Sequence, residues 1–406
     1  MIPKEVEPPQ KKSKLPPPPT FHHQPCLSFS SLPNDITLNC FARIPKSYYP
    51  KISLVSKTFR SLLSSSELYA ARSQMGTTEI CLYICLEYST EYFPPSSRWF
   101  SLFEKPKRSL TDGRTKEKSS GNLLVPIPNH SPPPPPPHAS STIMVGSQIY
   151  VFGGPLDDNI RRYTSAVRVY DCRMKTWRNL PSMKMERFYA SACVHDDKIY
   201  VMGGCMARSE HLSLFEMFDI KTQTWKTLPP NPDLNVRLGC RKVRKIGMVH
   251  EKIYVKTEFE LRDWVYDVKE KKWSFADMGL GVNWRSSWCV IDNVMFSYSR
   301  FMRCVWYDLK SGTWKDVRGL EVLKKYRSFS YAHNGSVVEL VNYGGKLVII
   351  WDRFERRGRS QNKNIWCAVV ALERIHEGFW GKIEWFDVVH TVPKSYEFLR
   401  CLPVSV

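Results

Sequence analysis

The stretch "RVYDCRMKTWRNLP", residues 168 to 181, places an aspartate six positions ahead of a tryptophan, with a proline four positions further on. The pattern returns in "EMFDIKTQTWKTLP" (216 to 229), "WVYDVKEKKWSFAD" (264 to 277) and "VWYDLKSGTWKDVR" (305 to 318), with the same aspartate-to-tryptophan spacing. Trp177, Trp225, Trp273 and Trp314 are 48, 48 and 41 residues apart, so the motif is rigid and the segments between copies vary. A second repeated segment precedes each copy: "QIYVFGG" (148 to 154), "KIYVMGG" (198 to 204), "KIYVKTE" (252 to 258) and "NVMFSYS" (293 to 299). A fifth, diverged copy reads "KLVIIWD" (346 to 352), "IWCAVVALE" (365 to 373) and Trp380.

Repeats of this length, each with about four short alternating segments, specify the blades of a β-propeller, because one blade buries neither face alone and must stack on its neighbours. The aspartate is then expected at the hairpin turn after the third strand. The tryptophan opens the fourth strand and packs between adjacent blades, a role in the scaffold. Replacing one such tryptophan by alanine is expected to cost about 3 to 5 kcal/mol. The Gly-Gly pairs at 153–154 and 203–204 close the second strand where the backbone must bend or approach a neighbour. "EICLYICLEY" (79 to 88), "RWFSLFE" (98 to 104) and "NLLVPIP" (122 to 128) make three strands without a fourth, and "YEFLRCLPVSV" (396 to 406) a strand without a blade. The two sets are predicted to combine, closing a ring of about six blades with no long free edge. Polar or Pro-rich insertions at about 105–121 and 129–140 lie outside any sheet.

Ahead of residue 79 the pattern is different. Residues 1–25, rich in Pro and Lys, cannot bury enough surface to order themselves and are expected to be a disordered tail, whose "KKSK" is a weak import motif. Residues 26–73 read as three short helices, with Ile36, Cys40, Phe41 and Ile44 on one face and Ile52, Val55, Phe59, Leu62 and Leu63 at helical steps in a second run. So few helices make a poor core, which leaves an apolar face for a partner.

Lys and Arg exceed Asp and Glu by 59 to 39, a balance that favours polyanionic or acidic partners. The twelve cysteines are scattered, without a CxxC, as expected in a reducing compartment, cytoplasmic or nuclear. No segment offers a signal peptide or the ~20 apolar residues of a membrane helix, so no membrane association is expected. His195 and His250 precede hairpin turns, and no metal or cofactor is expected.

The "LP-x-D-I" start at Leu32 to Ile36, the "ARIP" turn at 42–45 and "SLVSKTFRSLL" at 53–63 resemble the F-box. The repeats resemble kelch blades, and the whole chain resembles the plant F-box/kelch-repeat proteins. The fold so implied is mainly β, a kelch-type propeller of about six blades over residues 79–406 preceded by a small all-α F-box domain. The resemblance implies a substrate-receptor subunit of an SCF-type ubiquitin ligase, with no catalytic residue and no cofactor. Leu32, Pro33, Ile36, Ile44, Leu54, Val55, Phe59 and Leu63 would bind a Skp-type adaptor, and through it a cullin. The propeller would hold a substrate protein, acidic or phosphorylated if arginines read it. Those arginines are Arg187, Arg237, Arg285 and Arg327, each just ahead of a first strand, and Arg161, Arg162, Arg356 and Arg357 in loops within blades. An arginine ahead of the first strand is also part of how kelch repeats look, so a loop-holding role competes with ligand contact at the first four. Two alternatives stay open: a basic RNA- or DNA-binding face, which net charge alone supports, and a small-molecule site in the central channel. The inner strands "STIMVG", "SACVHD", "IGMVHE" and "SSWCVID" supply few polar groups for such a site.

Overall fold

The computed structural model describes residues 32–88, 96–104, 121–127, 142–154, 163–174, 176–205, 215–231, 243–257, 263–276, 287–298, 303–326, 338–354, 362–376 and 378–406. The helical part consists of α1 (Asn34–Ala42), a 3-10 turn (Lys46–Tyr48), α2 (Tyr49–Ile52), α3 (Lys57–Leu63) and α4 (Ser66–Gln74). Ser56 and Ser65 sit in extended backbone and accept hydrogen bonds from the amides of Phe59 and Leu68, capping α3 and α4. The expected continuous run through 51–63 is therefore two helices. Chain reversal at 53–56 breaks the helical spacing of Ile52 and Val55, and it turns Leu54 and Val55 outward. Phe41, Ala42, Tyr49, Leu63 and Leu68 form the core, with Phe59 edge-on to Phe41 at 5.0 Å.

Six four-stranded antiparallel sheets follow, in a closed ring. Blade 1 contains β1 (Ile80–Tyr88), β2 (Ser96–Phe103), β3 (Leu123–Pro126) and, innermost, the C-terminal strand β24 (Tyr396–Ser405). Blade 2 runs β4 (Thr142–Val145), β5 (Gln148–Phe152), β6 (Val167–Asp171), β7 (Thr176–Leu180), and blade 3 runs β8 (Ser191–His195), β9 (Lys198–Met202), β10 (Phe215–Asp219), β11 (Thr224–Thr227). Blade 4 is β12 (Val243–Val249), β13 (Lys252–Thr257), β14 (Asp263–Asp267), β15 (Lys272–Ala276), and blade 5 is β16 (Trp288–Ile291), β17 (Val294–Tyr298), β18 (Cys304–Asp308), β19 (Thr313–Asp316). Blade 6 has the longest strands: β20 (Val338–Tyr343), β21 (Lys346–Phe354), β22 (Asn362–Ile375) and β23 (Gly378–Pro393). The first strands of blades 2 to 6 and β24 touch one another around the axis, with β24 between β20 and β4. As expected, the last strand completes the first blade.

Each part of the repeated motif has a physical task. Asp171, Asp219, Asp267 and Asp308 end the third strands, and their carboxylates accept hydrogen bonds from amides two or three residues on, closing the hairpin turn. Asp308 also holds Ser311 and Lys315, and the Lys315 and Ser311 bonds push its carboxyl down to about 2. Trp225 stands edge-on to Phe152 of blade 2 at 6.1 Å, and its Nε1–H donates to the carbonyl of Pro181 at 2.8 Å. One blade later, Trp273 packs 5.7 Å from Phe215 and donates to Pro229 at 3.1 Å. The proline after one tryptophan thus offers its carbonyl to the tryptophan of the next blade. Trp177 joins the core between blades 1 and 2, and Trp314 that between blades 4 and 5. Trp380 departs from the pattern: it is 44% exposed, and the stacked pair Trp351 and Trp366, 5.9 Å apart, fills blade 6 in its place. A Cβ at Gly153 would lie 2.1 Å from the carbonyl oxygen of Arg187, and one at Gly204 would lie 2.5 Å from that of Phe188. Both glycines also have positive φ, so the loop between blades 2 and 3 can lie directly on them.

Candidate functional site

Three side chains of the helical part leave unusually large apolar surface in water: Leu54 at 77%, Val55 at 69% and Ile36 at 48% exposure. Leu32 is half-buried and Pro33 exposed at the start of α1. Ile44 and Phe59 are half-buried against the helical core, presenting only an edge outward. Leu63 is a correction to the expected docking set: at 6% exposure it packs inside with Phe41 and Leu68, where the last turn of α3 points inward.

This surface is held rigidly to the propeller. Arg72 of α4 is 1% exposed, and its guanidinium donates to the carbonyls of Ala42, Ile44 and Thr77, to the Tyr49 hydroxyl and to Glu79 Oε1 at 2.6 Å. It caps the end of α1 and ties α4 to the residue that precedes β1. The carboxylate of Glu79 accepts from the Lys46 amide as well, at 3.1 Å. Tyr69 packs among Ile149, Val151, Leu402, Val404 and Val406, across the seam between blades 1 and 2.

At the end of the propeller where the loops between blades meet the loops within them, Arg187 does not reach solvent. It is fully buried, donating to Glu216 Oε1 at 2.8 Å and to the Gly203 carbonyl at 2.6 Å, while Lys184 N–H donates to Glu216 Oε2 at 2.8 Å. Of the two roles weighed for Arg187, loop holding and ligand contact, its burial and bonds fit the first and remove it from the candidate contacts. Arg161, Arg162, Arg237, Arg285, Arg327, Arg356 and Arg357 lie outside the described residues. Where blades 4 and 6 lack the glycine pair, buried charges stand at the same level. In blade 6, Asp352 accepts from Lys363 Nζ at 3.1 Å and from the Tyr396 hydroxyl at 2.6 Å. In blade 4, Lys256 faces Asp263, and burial, with Lys245 and Arg244 nearby, pushes its amine down to about 8.

The sequence reading weighed the central channel but missed the charged residues that reach it. Lys245 of β12 is 3.8 Å from Glu339 of β20 and donates to Ser287 Oγ at 3.4 Å; Arg400 of β24 acts electrostatically on both charged groups. The signal was present in "VRKIGMV", "SVVELVNY" and "YEFLRCLPVSV", each an innermost strand with an ionisable residue at its centre. Among the described residues, no group of three or more His, Cys, Asp or Glu side chains is arranged to hold a metal. The ten described cysteines form no disulfide with one another, and no described helix is long and apolar enough to cross a membrane.

Family models and curated relatives agree with this architecture. The FKB95, kelch-repeats domain family model matches residues 99–390, and the F-box domain model matches residues 29–70. F-box/kelch-repeat protein At4g29370 of Arabidopsis thaliana is 53% identical over 411 residues, covering 100% of both chains. The putative F-box/kelch-repeat protein At4g39760 of the same plant is 42% identical, covering 94% of this chain and 96% of its own. Among solved structures, YjhT aligns with a TM-score of 0.45 at 12% identity, over 70% of this chain and 91% of that chain. With family models that match the helical unit and the ring, and a relative 53% identical over its full length, this chain belongs to the F-box/kelch-repeat proteins.

Proposed function

We propose that this protein is a substrate receptor of an SCF-type ubiquitin ligase, in which the F-box binds a Skp-type adaptor and the propeller carries a protein to be ubiquitinated. The observation that carries the reading is the apolar triad Ile36, Leu54 and Val55, left in water on a helical unit that is fixed to a closed propeller through Arg72 and Tyr69. Apolar surface of this kind is stable in solution only at a cost that a partner removes, which is why such patches mark interaction sites.

The receptor itself contributes no nucleophile in this reading. It raises the local concentration of substrate lysines beside a charged conjugating enzyme, converting an encounter between free molecules into one within an assembly. A stiff junction serves that purpose, because effective concentration falls when the two sites wander relative to each other. Substrate recognition is assigned to the loop end of the ring, with Arg161, Arg162, Arg237, Arg285, Arg327, Arg356 and Arg357 as candidate contacts to acidic or phosphorylated segments.

The test is capture of a purified Skp-type adaptor by the full chain and by Leu54→Asp/Val55→Asp. Capture by the first, with at least about tenfold weaker capture by a double variant of unchanged Tm, supports the reading. Equal capture by both, or none by the full chain, rejects it.

A further inference from the structure

The innermost strands of blades 2 and 3 turn Ile143, Val145, Ala192 and Val194 into the apolar core between those blades. Across the ring the innermost strands carry charge. Lys245 comes from blade 4, Glu339 from blade 6 and Arg400 from blade 1, strands that are not all neighbours in the ring, so their side chains meet inside the channel. Ser287, at the start of blade 5, lies between them, accepting from Lys245 Nζ and from the Leu340 amide at 3.1 Å.

Two cations here share one carboxylate. Glu339 is already engaged by Lys245, and the Arg400 guanidinium makes no hydrogen bond or ion pair with another described residue, while its backbone pairs with β1. Lys245 and Glu339 keep 24% and 20% of their side-chain surface accessible, so the pair is only partly buried. Burial lowers the pKa of both Lys245 and Arg400, and the Arg400 charge adds to the cost of keeping Lys245 charged. A surplus positive charge between low-dielectric walls focuses field along the axis and attracts a counter-ion. A guanidinium with free donors in a fixed fork matches an oxyanion in shape as well as charge.

We infer that the axial channel is a binding site for a small oxyanion, a phosphoryl or carboxylate group, held between Arg400 and Lys245 with Glu339 limiting its affinity. The group is either a free ion or the tip of a polypeptide side chain entering the channel. The inference is independent of the ligase reading and uses the chain alone.

The experiment titrates inorganic phosphate against the full chain at constant ionic strength, chloride being replaced, with calorimetry and Tm as readouts. Saturable binding is expected. Arg400→Gln and Lys245→Gln should each weaken it by at least about tenfold, and Glu339→Gln should tighten it by about fivefold, because a competing negative charge is removed. The outer-strand variant Lys272→Gln should leave it unchanged. Because removal of a channel charge can also alter folding, Arg400→Lys is included: it keeps the charge and should retain more binding than Arg400→Gln. A phosphoserine tripeptide that displaces phosphate identifies a side chain as an occupant, and failure to displace it identifies the free ion; both outcomes uphold the site. Absence of saturable phosphate binding, or binding that is insensitive to Arg400 and Glu339 alike, overturns it.

Discussion

Trp225 shows how one residue holds two blades together, through its edge contact with Phe152 and its bond to the Pro181 carbonyl. Trp225→Ala should cost about 3 kcal/mol, whereas Trp225→Phe, which keeps an aromatic wedge and loses only the Nε1–H bond, should cost about 1 kcal/mol. Denaturant unfolding of the two variants gives the comparison. At Asp308 the folded carboxyl lies below its unfolded pKa, so its stabilising effect is present above about pH 4 and disappears as pH falls through about 2. Asp308→Asn should therefore start with a lower Tm at neutral pH and lose less of it across that acid window, measured by calorimetry. The spacing of these two residues was readable because each acts within one hairpin or across one blade boundary, distances that the repeat itself encodes. Arg187 was not readable in the same way. Its partner Glu216 lies 29 residues away in a different strand, and nothing local distinguishes a buried arginine from one on a rim.

Among the elements, α3 is defined by the Ser56 cap, and the reversal before it creates the exposed Leu54–Val55 pair. Helical periodicity across 51–63 hid this, since apolar residues at three- and four-residue steps look the same whether or not a cap interrupts them. Ser56→Ala should lower stability of the helical unit by about 1 kcal/mol. Arg72→Met is more severe, because Glu79 and three carbonyls lose the guanidinium together, and Glu79 keeps only the Lys46 amide; a loss of about 3 kcal/mol is expected. Limited proteolysis should then cut between the helices and β1 well before the propeller is attacked, and a protection pattern like that of the unaltered chain would show that the guanidinium is not the tie. The channel cluster was hidden for a related reason. Lys245, Glu339 and Arg400 each stand alone in their strands, and only closure of the ring brings them together.

For the whole molecule, ring closure was predicted from a simple shortage, three strands at one end of the repeat array and one at the other. The structure supplies the register: β24 pairs with β1 from Ile80–Ser405 to Tyr88–Tyr396, and Glu79 and Val406 exchange backbone hydrogen bonds. Deleting residues 396–406 should expose the full length of β1 and Leu82, Ile84 and Leu86 with it, giving a chain that aggregates or unfolds without a single cooperative transition. Size-exclusion chromatography with circular dichroism reads the outcome, and a monomeric, cooperatively melting truncation would contradict it.

Because Leu402, Val404 and Val406 also form the seat of Tyr69, the hook and the ring share their final fastener. A chain in which those three residues cannot pack thus has an F-box that is made but not seated, and its fault is visible at the junction as well as in the sheet. Damage to this one strand reaches both domains.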